Sequence, residues 1–147
     1  MAHITKTAEF KLGREGEHTI LNKLLSLGDY QFVSWNDTNS HDFILSKENV
    51  QRSYEIKTDT YKNPKNFFIE FHSWGKPSGI SVTQSDWYCY YFKNENVAYF
   101  IKTQELKDLL LSKQWEQKGL KYGNEGNLGY ILPISEVEQH FKRYYID

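Results

Sequence analysis

The chain has 147 residues, 39% of them hydrophobic, 25% charged and 16% aromatic, with a formal net charge of −1. That length suits one domain and is short for two, and the near-zero charge excludes a generally basic nucleic-acid coat while leaving local phosphate contacts open. Cys89 is the only cysteine, which excludes a disulfide framework and a thiolate zinc cluster, and no apolar run approaches membrane length. The expectation is a single soluble, cytoplasmic domain over residues 1–147, with aromatic side chains filling much of its core.

In chain order, residues 5–27 read as a helix. Phe10, Ile20, Leu21, Leu24 and Leu25 recur at helical spacing, and Gly28 ends it. "QFVSW" (31–35) is a first strand. "DFIL" and "SYEIKT" are two more, joined as a hairpin by the polar turn "SKENVQR". "NFFIEF" (66–71) is a fourth strand, followed by the Gly/Pro/Lys loop "HSWGKPSG". "TQSD" reads as a helix start with Thr83 and Asp86 as a capping pair. "WYCYYF" and "VAYFIK" pair across "KNEN", and "TQELKDLLLS" is a helix capped by Thr103. "GYILPI" is a late strand and "SEVEQHFKRYY" a C-terminal helix capped by Ser135. The order is α/β, with no internal repeat, low-complexity tract or linker.

Two residues break the pattern of their elements. Along the stripe 10, 13, 17, 20, 21, 24 of the first helix every position is apolar or Gly except Glu17. A carboxylate facing inward costs about several kcal/mol if unpaired. Either Glu17 snorkels from the edge of the stripe, or a lysine, a metal ion or a wet cleft compensates it. Asp42, at the start of the apolar "DFIL", is either a turn aspartate bonding its own backbone or part of a site. The hairpin brings the neighbourhood of Asp42 to that of Glu55 and Lys57, which share one face of their strand. Two acids and a lysine then gather at one end of a sheet, with Glu17 able to join them from a helix lying on it. Converging acids disfavour stability but suit a divalent cation held against a phosphate.

Gly13-x-x-Gly16-Glu17, then Asp42, then Glu55-x-Lys57 resembles the signature of the PD-(D/E)XK nuclease superfamily. "GREGEHTILNKLLSLG" is similar to the opening helix of small resolvase-like members, including archaeal Holliday-junction resolvases. Gln84-x-x-x-Tyr88 resembles the motif after the catalytic lysine in RecB-type nucleases. The resemblance covers roughly residues 10–92, and His41 stands where a proline would precede Asp42. It implies a restriction-endonuclease-like core, a central mixed sheet of about four to six strands flanked by helices.

The resemblance further implies a Mg²⁺-dependent endodeoxyribonuclease, with Mn²⁺ as a substitute ion. It would be structure-specific and resolvase-like, or phage-type and phage-encoded. Asp42 and Glu55 would ligate the metal with the backbone carbonyl of Ile56, and Glu17 would hold a further water or a second ion. Lys57 would orient or deprotonate the attacking water. DNA is the expected partner, and a homodimer the expected assembly, because two cuts need two sites. The aromatic "WYCYYF", "VAYFIK" and "HFKRYYI" segments are candidates for the dimer interface or for the core.

Lys62, Lys65, Lys76 and Gln84 are candidate DNA contacts; the lysines read equally as a solvated loop. Trp74 either stacks on a base or packs its loop down. Glu70 faces either the cleft or solvent, His41 and His72 read as structural, and Cys89 as core. Two other classes stay open: an inactive nuclease fold serving as a DNA-binding or assembly module, and an unrelated α/β interaction protein with Glu55 and Lys57 as a surface ion pair.

Overall fold

The computed structural model describes residues 6–36, 41–120 and 126–146. It opens with helix α1 (Lys6–Ser26), so the predicted helix is present, with its first residue, 5, outside the described residues. Strands β1 (Gln31–Trp35), β2 (Phe43–Lys47) and β3 (Val50–Asp59) follow, then β4 (Asn66–Ser73) and the short β5 (Lys76–Pro77). Strands β6 (Trp87–Phe92) and β7 (Val97–Lys102) lead into helix α2 (Thr103–Leu111). Strands β8 (Glu116–Leu120) and β9 (Asn127–Pro133), helix α3 (Ile134–Val137) and strand β10 (Lys142–Tyr145) complete the chain. Among the described residues no helix is long and apolar enough to cross a membrane.

The strands form two sheets. The central one has six strands in the order β1-β2-β3-β6-β7-β10; β3 and β6 run parallel and every other neighbour pair antiparallel. The second is antiparallel, in the order β5-β4-β9-β8. Alternation along the strands divides the central sheet between two cores. Tyr54, Ile56, Cys89 and Tyr91 pack under Ile20, Leu21 and Leu24 of α1. Tyr88, Tyr90, Phe92, Tyr99 and Ile101 face the other way, against Phe67, Ile69 and Leu132 of the second sheet and Leu106 of α2. The layers are helix, central sheet, second sheet. Tyr90, fully buried in that second core, donates its hydroxyl to Asp59 and accepts the Phe68 N–H at 3.1 Å, which ties β3, β6 and β4 together.

Four local expectations fail, each for a physical reason. No helix starts at Thr83: its hydroxyl bonds within a buried Thr83–Ser85–Thr103 cluster, and Asp86 accepts the Ser53 N–H at 2.8 Å, locking β6 onto β3. Thr103 does not cap α2, because its hydroxyl belongs to that cluster; Lys102 holds the N-cap position. The predicted C-terminal helix stops after one turn, and "KRYY" becomes β10, paired with β7 as the sheet's edge. Phe10, placed on the apolar stripe, is 68% exposed. The hairpin turn is also tighter than expected, only Glu48 and Asn49, both with positive φ as a two-residue turn requires.

Candidate active site

The site exists because β3 is longer than its neighbour. Strand β2 begins with Phe43 opposite Tyr54, whereas β3 continues to Asp59 and is matched on its other side by β6 throughout. Residues 55–59 therefore have a free edge on the β2 side. Asp42, the residue before β2, occupies it. Its N–H donates to the Tyr54 carbonyl and its Oδ2 accepts the Ile56 N–H, both at 2.7 Å. A strand residue points its N–H and C=O to the same side, so the Ile56 carbonyl faces this edge too.

At the edge the two faces of the sheet meet. Glu55 and Lys57 project toward the second sheet, into a cleft of about 280 Å³ that Asp42, Glu70, Ser78, Gly79 and Tyr88 also line. Glu17 arrives from the opposite face on α1. It stays near Arg14, 3.8 Å away one helical turn back, whose guanidinium also lies over the Trp35 ring at 5.5 Å. Glu15, two residues before Glu17, points outward to Lys93 at 3.5 Å. The two glutamates thus lie on different faces of α1.

The acids disturb one another. Burial above all, then the charges of Asp42 and Glu17, pushes Glu55 up to about 8, against the Thr83 hydroxyl that donates to it at 3.4 Å. Burial and Asp42 raise Glu17 to about 7 despite Arg14. Burial raises Asp42 to about 6, with the Ile56 N–H and Arg14 opposing. These groups titrate as a set, and the set lacks positive charge. Lys57 lines the same cleft and makes no ion pair among the described residues.

Glu70 adds a fourth carboxylate from β4, the orientation left open by the sequence. The Ser78 hydroxyl donates to its Oε2 at 2.9 Å, and the turn at Gly79, with φ +53°, lies directly against the Glu70 backbone. An acid in an otherwise apolar strand is the available signal, the same that marks Glu17. The sequence does not single out Arg14, and it marks Thr83 only as a helix cap; the spacing of Arg14 from Glu17 is the one signal of a role at the site. As the side chains stand, no three His, Cys, Asp or Glu groups converge tightly enough to hold a metal ion among the described residues. The donor set is nonetheless all oxygen, which suits a hard cation, and its pKa values are raised first by burial and then, for Glu17 and Glu55, by neighbouring carboxylates.

The other candidates scatter around the cleft. Lys62 and Lys65 line a hollow beyond the end of β3 together with Lys118 and the exposed Tyr61. Lys76 sits on β5, next to Pro77 of the cleft wall. Gln84 is exposed and lines a separate groove, while Tyr88 is buried. Trp74 is not packed down: it is 56% exposed at the tip of the β4–β5 hairpin, with φ +53°. The ring of His41 lies against the Asn36 amide at 3.0 Å, and Cys89 is core.

No protein-family model and no curated protein matches the chain. Among solved structures it is similar to a bacterial homing endonuclease, I-Ssp6803I, with a TM-score of 0.52 and 12% identity over 82% of this chain and 81% of that one. The likeness is one of fold. The α/β architecture with a central mixed sheet is therefore shared with a nuclease, in agreement with the expected fold class.

Proposed function

We propose that this protein is a metal-dependent DNA endonuclease of the PD-(D/E)XK kind, working in a structure-specific, resolvase-like manner or as a phage-type nuclease. The observation that carries the reading is the free edge of β3, where Asp42, Glu55 and Glu17 crowd beside Lys57. Crowded acids with raised pKa values destabilise a metal-free protein, and a surface ion pair or a mere binding module has no use for them. The fold likeness to a homing endonuclease supports the same reading.

Asp42, Glu55 and the Ile56 carbonyl would hold Mg²⁺ or Mn²⁺, with Glu17 serving a further water or a second ion. When bound, the ion would supply Lewis-acid stabilisation of charge on the scissile phosphate. The Ile56 N–H fixes Asp42 so that its second oxygen stays available. The Thr83 hydroxyl orients Glu55, and Arg14 restrains Glu17. Lys57 would orient or deprotonate the attacking water and offset negative charge on the phosphate oxygens. Lys62, Lys65 and Lys76 would contact phosphates, and Trp74 would stack on an exposed base.

The test is a cleavage panel of junction, flap, nicked, duplex and single-stranded DNA. Cutting with Mg²⁺ or Mn²⁺ that stops on chelation is expected; Ca²⁺ should allow binding with little cutting. Cutting that persists in EDTA rejects the mechanism.

A further inference from the structure

A second groove, of about 420 Å³, opens beside the cleft. The 82–84 segment walls both: Val82 lines the cleft, Thr83 and Gln84 the groove. Three cations reach the groove from three elements, Arg52 of β3, Lys102 at the end of β7 and Lys107 of α2. None of the three forms an ion pair among the described residues. Asp86 is the acid in its lining, and its Oδ2 is already engaged by the Ser53 N–H at 2.8 Å and hydroxyl at 3.2 Å. Lysines on a solvated helix face are ordinary. Three cations from separate elements converging on one concavity, in a chain of net charge −1, are not.

Strand β3 threads the hollows in order: Arg52 in the groove, Glu55 to Lys57 in the cleft, then Asp59 in the hollow holding Lys62 and Lys65. At about 3.3 Å per strand residue, Arg52 lies about 10 Å along β3 from Glu55. That is about three steps along one strand of a duplex, whose phosphates advance about 3.4 Å each along the axis. The acidic cleft by itself repels a polyanion, so a substrate lying across it needs cations on either side.

We propose that the Arg52–Lys102–Lys107 groove binds the phosphodiester backbone of DNA on one side of the bond presented to the cleft, an inference that rests on the nuclease reading above. The exposed Gln84 amide, in the same lining, is a further phosphate donor, whereas the Gln104 amide is engaged by Asp108 at 3.0 Å.

The experiment measures binding rather than cutting. A fluorescent DNA duplex of mixed sequence is titrated with the protein in Ca²⁺ buffer over a range of salt. The triple variant Arg52→Gln, Lys102→Gln, Lys107→Gln should bind at least about tenfold more weakly, and its salt slope should be smaller by about 0.9 for each phosphate no longer neutralised. A control with the same charge loss, Lys23→Gln, Lys113→Gln, Lys142→Gln, touches neither groove nor cleft and should keep the wild-type slope. Should the triple variant fold poorly, Lys107→Gln alone should lower the slope by about 0.9. Wild-type binding with an unchanged slope in the groove variants overturns the groove and leaves the nuclease reading standing. Wild-type protein that binds no DNA at any salt overturns both.

Discussion

Gly16 of α1 and Thr58 of β3 meet so closely that no side chain fits between them. A Cβ on Gly16 would come within 3.0 Å of the Thr58 Cβ and closer still to its hydroxyl. That hydroxyl is buried without a hydrogen-bond partner, so the contact sacrifices a polar group to bring helix and strand together. The next residue on the helix is Glu17. The spacing Gly16-Glu17 therefore has a physical meaning: the glycine seats the helix at the depth from which the acid reaches the edge of β3.

Gly16→Ala tests this seat. Alanine favours an isolated helix by about 1 kcal/mol, but the overlap with Thr58 costs about 1–3 kcal/mol and pushes α1 outward. A lower melting temperature and reduced DNA cleavage are expected together. Adding Thr58→Ala should recover part of both, since it clears space and removes the orphaned hydroxyl. An unchanged melting temperature with full activity would show that α1 is seated elsewhere.

Single substitutions separate the roles of the charged residues. Lys57→Ala, Glu55→Gln and Asp42→Asn should each lower cleavage by at least about 10²-fold while the circular dichroism spectrum stays native. Stability should move differently among them. Glu55→Gln removes a buried like charge only once pH reaches about 8 and should raise the metal-free melting temperature there, whereas Asp42→Ala orphans the Ile56 N–H and should not raise it. Glu15→Ala should leave activity intact, because that side chain faces Lys93. A Glu15 variant as inactive as Glu17→Ala would contradict the helix phase.

Stability of the metal-free protein should fall as pH rises. Glu55, Glu17 and Asp42 stand at about 8, about 7 and about 6, all raised from their ordinary 4.5, 4.5 and 3.8. The folded state thus holds these protons more tightly than the unfolded chain. Their stabilisation is complete below the ordinary values, falls as pH climbs above them, and is fully lost once pH has passed about 6 for Asp42, about 7 for Glu17 and about 8 for Glu55. Melting in EDTA should show a declining temperature across that window, flattened in its upper part by Glu55→Gln. Mg²⁺ should restore stability most at the alkaline end, where the carboxylates are ionised. A flat profile in EDTA would mean that the acids do not crowd.

The proposed two-strand cutting calls for a homodimer, and of the three aromatic segments only "HFKRYYI" leaves apolar surface for it, at the exposed Tyr145 of the edge strand β10. The "WYCYYF" and "VAYFIK" strands are interior, almost wholly consumed by the two cores. Other exposed apolar side chains lie at Phe10 of α1, Leu27 just after it, and Phe32 and Val33 of the opposite edge strand β1. Light scattering should give twice the chain mass, and Phe32→Lys with Val33→Lys should halve it. A monomer at working concentration with full two-strand cutting rejects the dimer.

The elements legible in the sequence are those set by short-range pattern. Helix α1, the β2–β3 hairpin and the β6–β7 pair follow from apolar spacing and turn residues alone. Glu17 stands out as an acid on an apolar helix stripe and Asp42 as one at the entry to an apolar strand, while Glu55 stands out only through sharing a strand face with Lys57. What escapes depends on distant partners. Thr83, Asp86 and Thr103 look like caps for local helices, and each instead commits its oxygen to another segment or to the buried cluster with Ser85. "KRYY" alternates too weakly to show that β7 needs an edge partner. The second sheet, which carries Glu70 into the cleft, pairs β4 with a strand far along the chain and leaves no local trace.

The free edge of β3 also has a kinetic consequence. Its register with β6 joins segments 33 residues apart, across a connection that holds β4, β5 and the turn at Gly79. Closing so long a loop is entropically late, and α1 can bury Gly16 against Thr58 only once that strand is in place. The local β2–β3 hairpin sets Asp42 beside Glu55, whereas Glu17 from α1 and Glu70 from β4 join them only when the tertiary packing forms. The proposed active site is thus assembled only in the folded chain, never in the β2–β3 hairpin by itself.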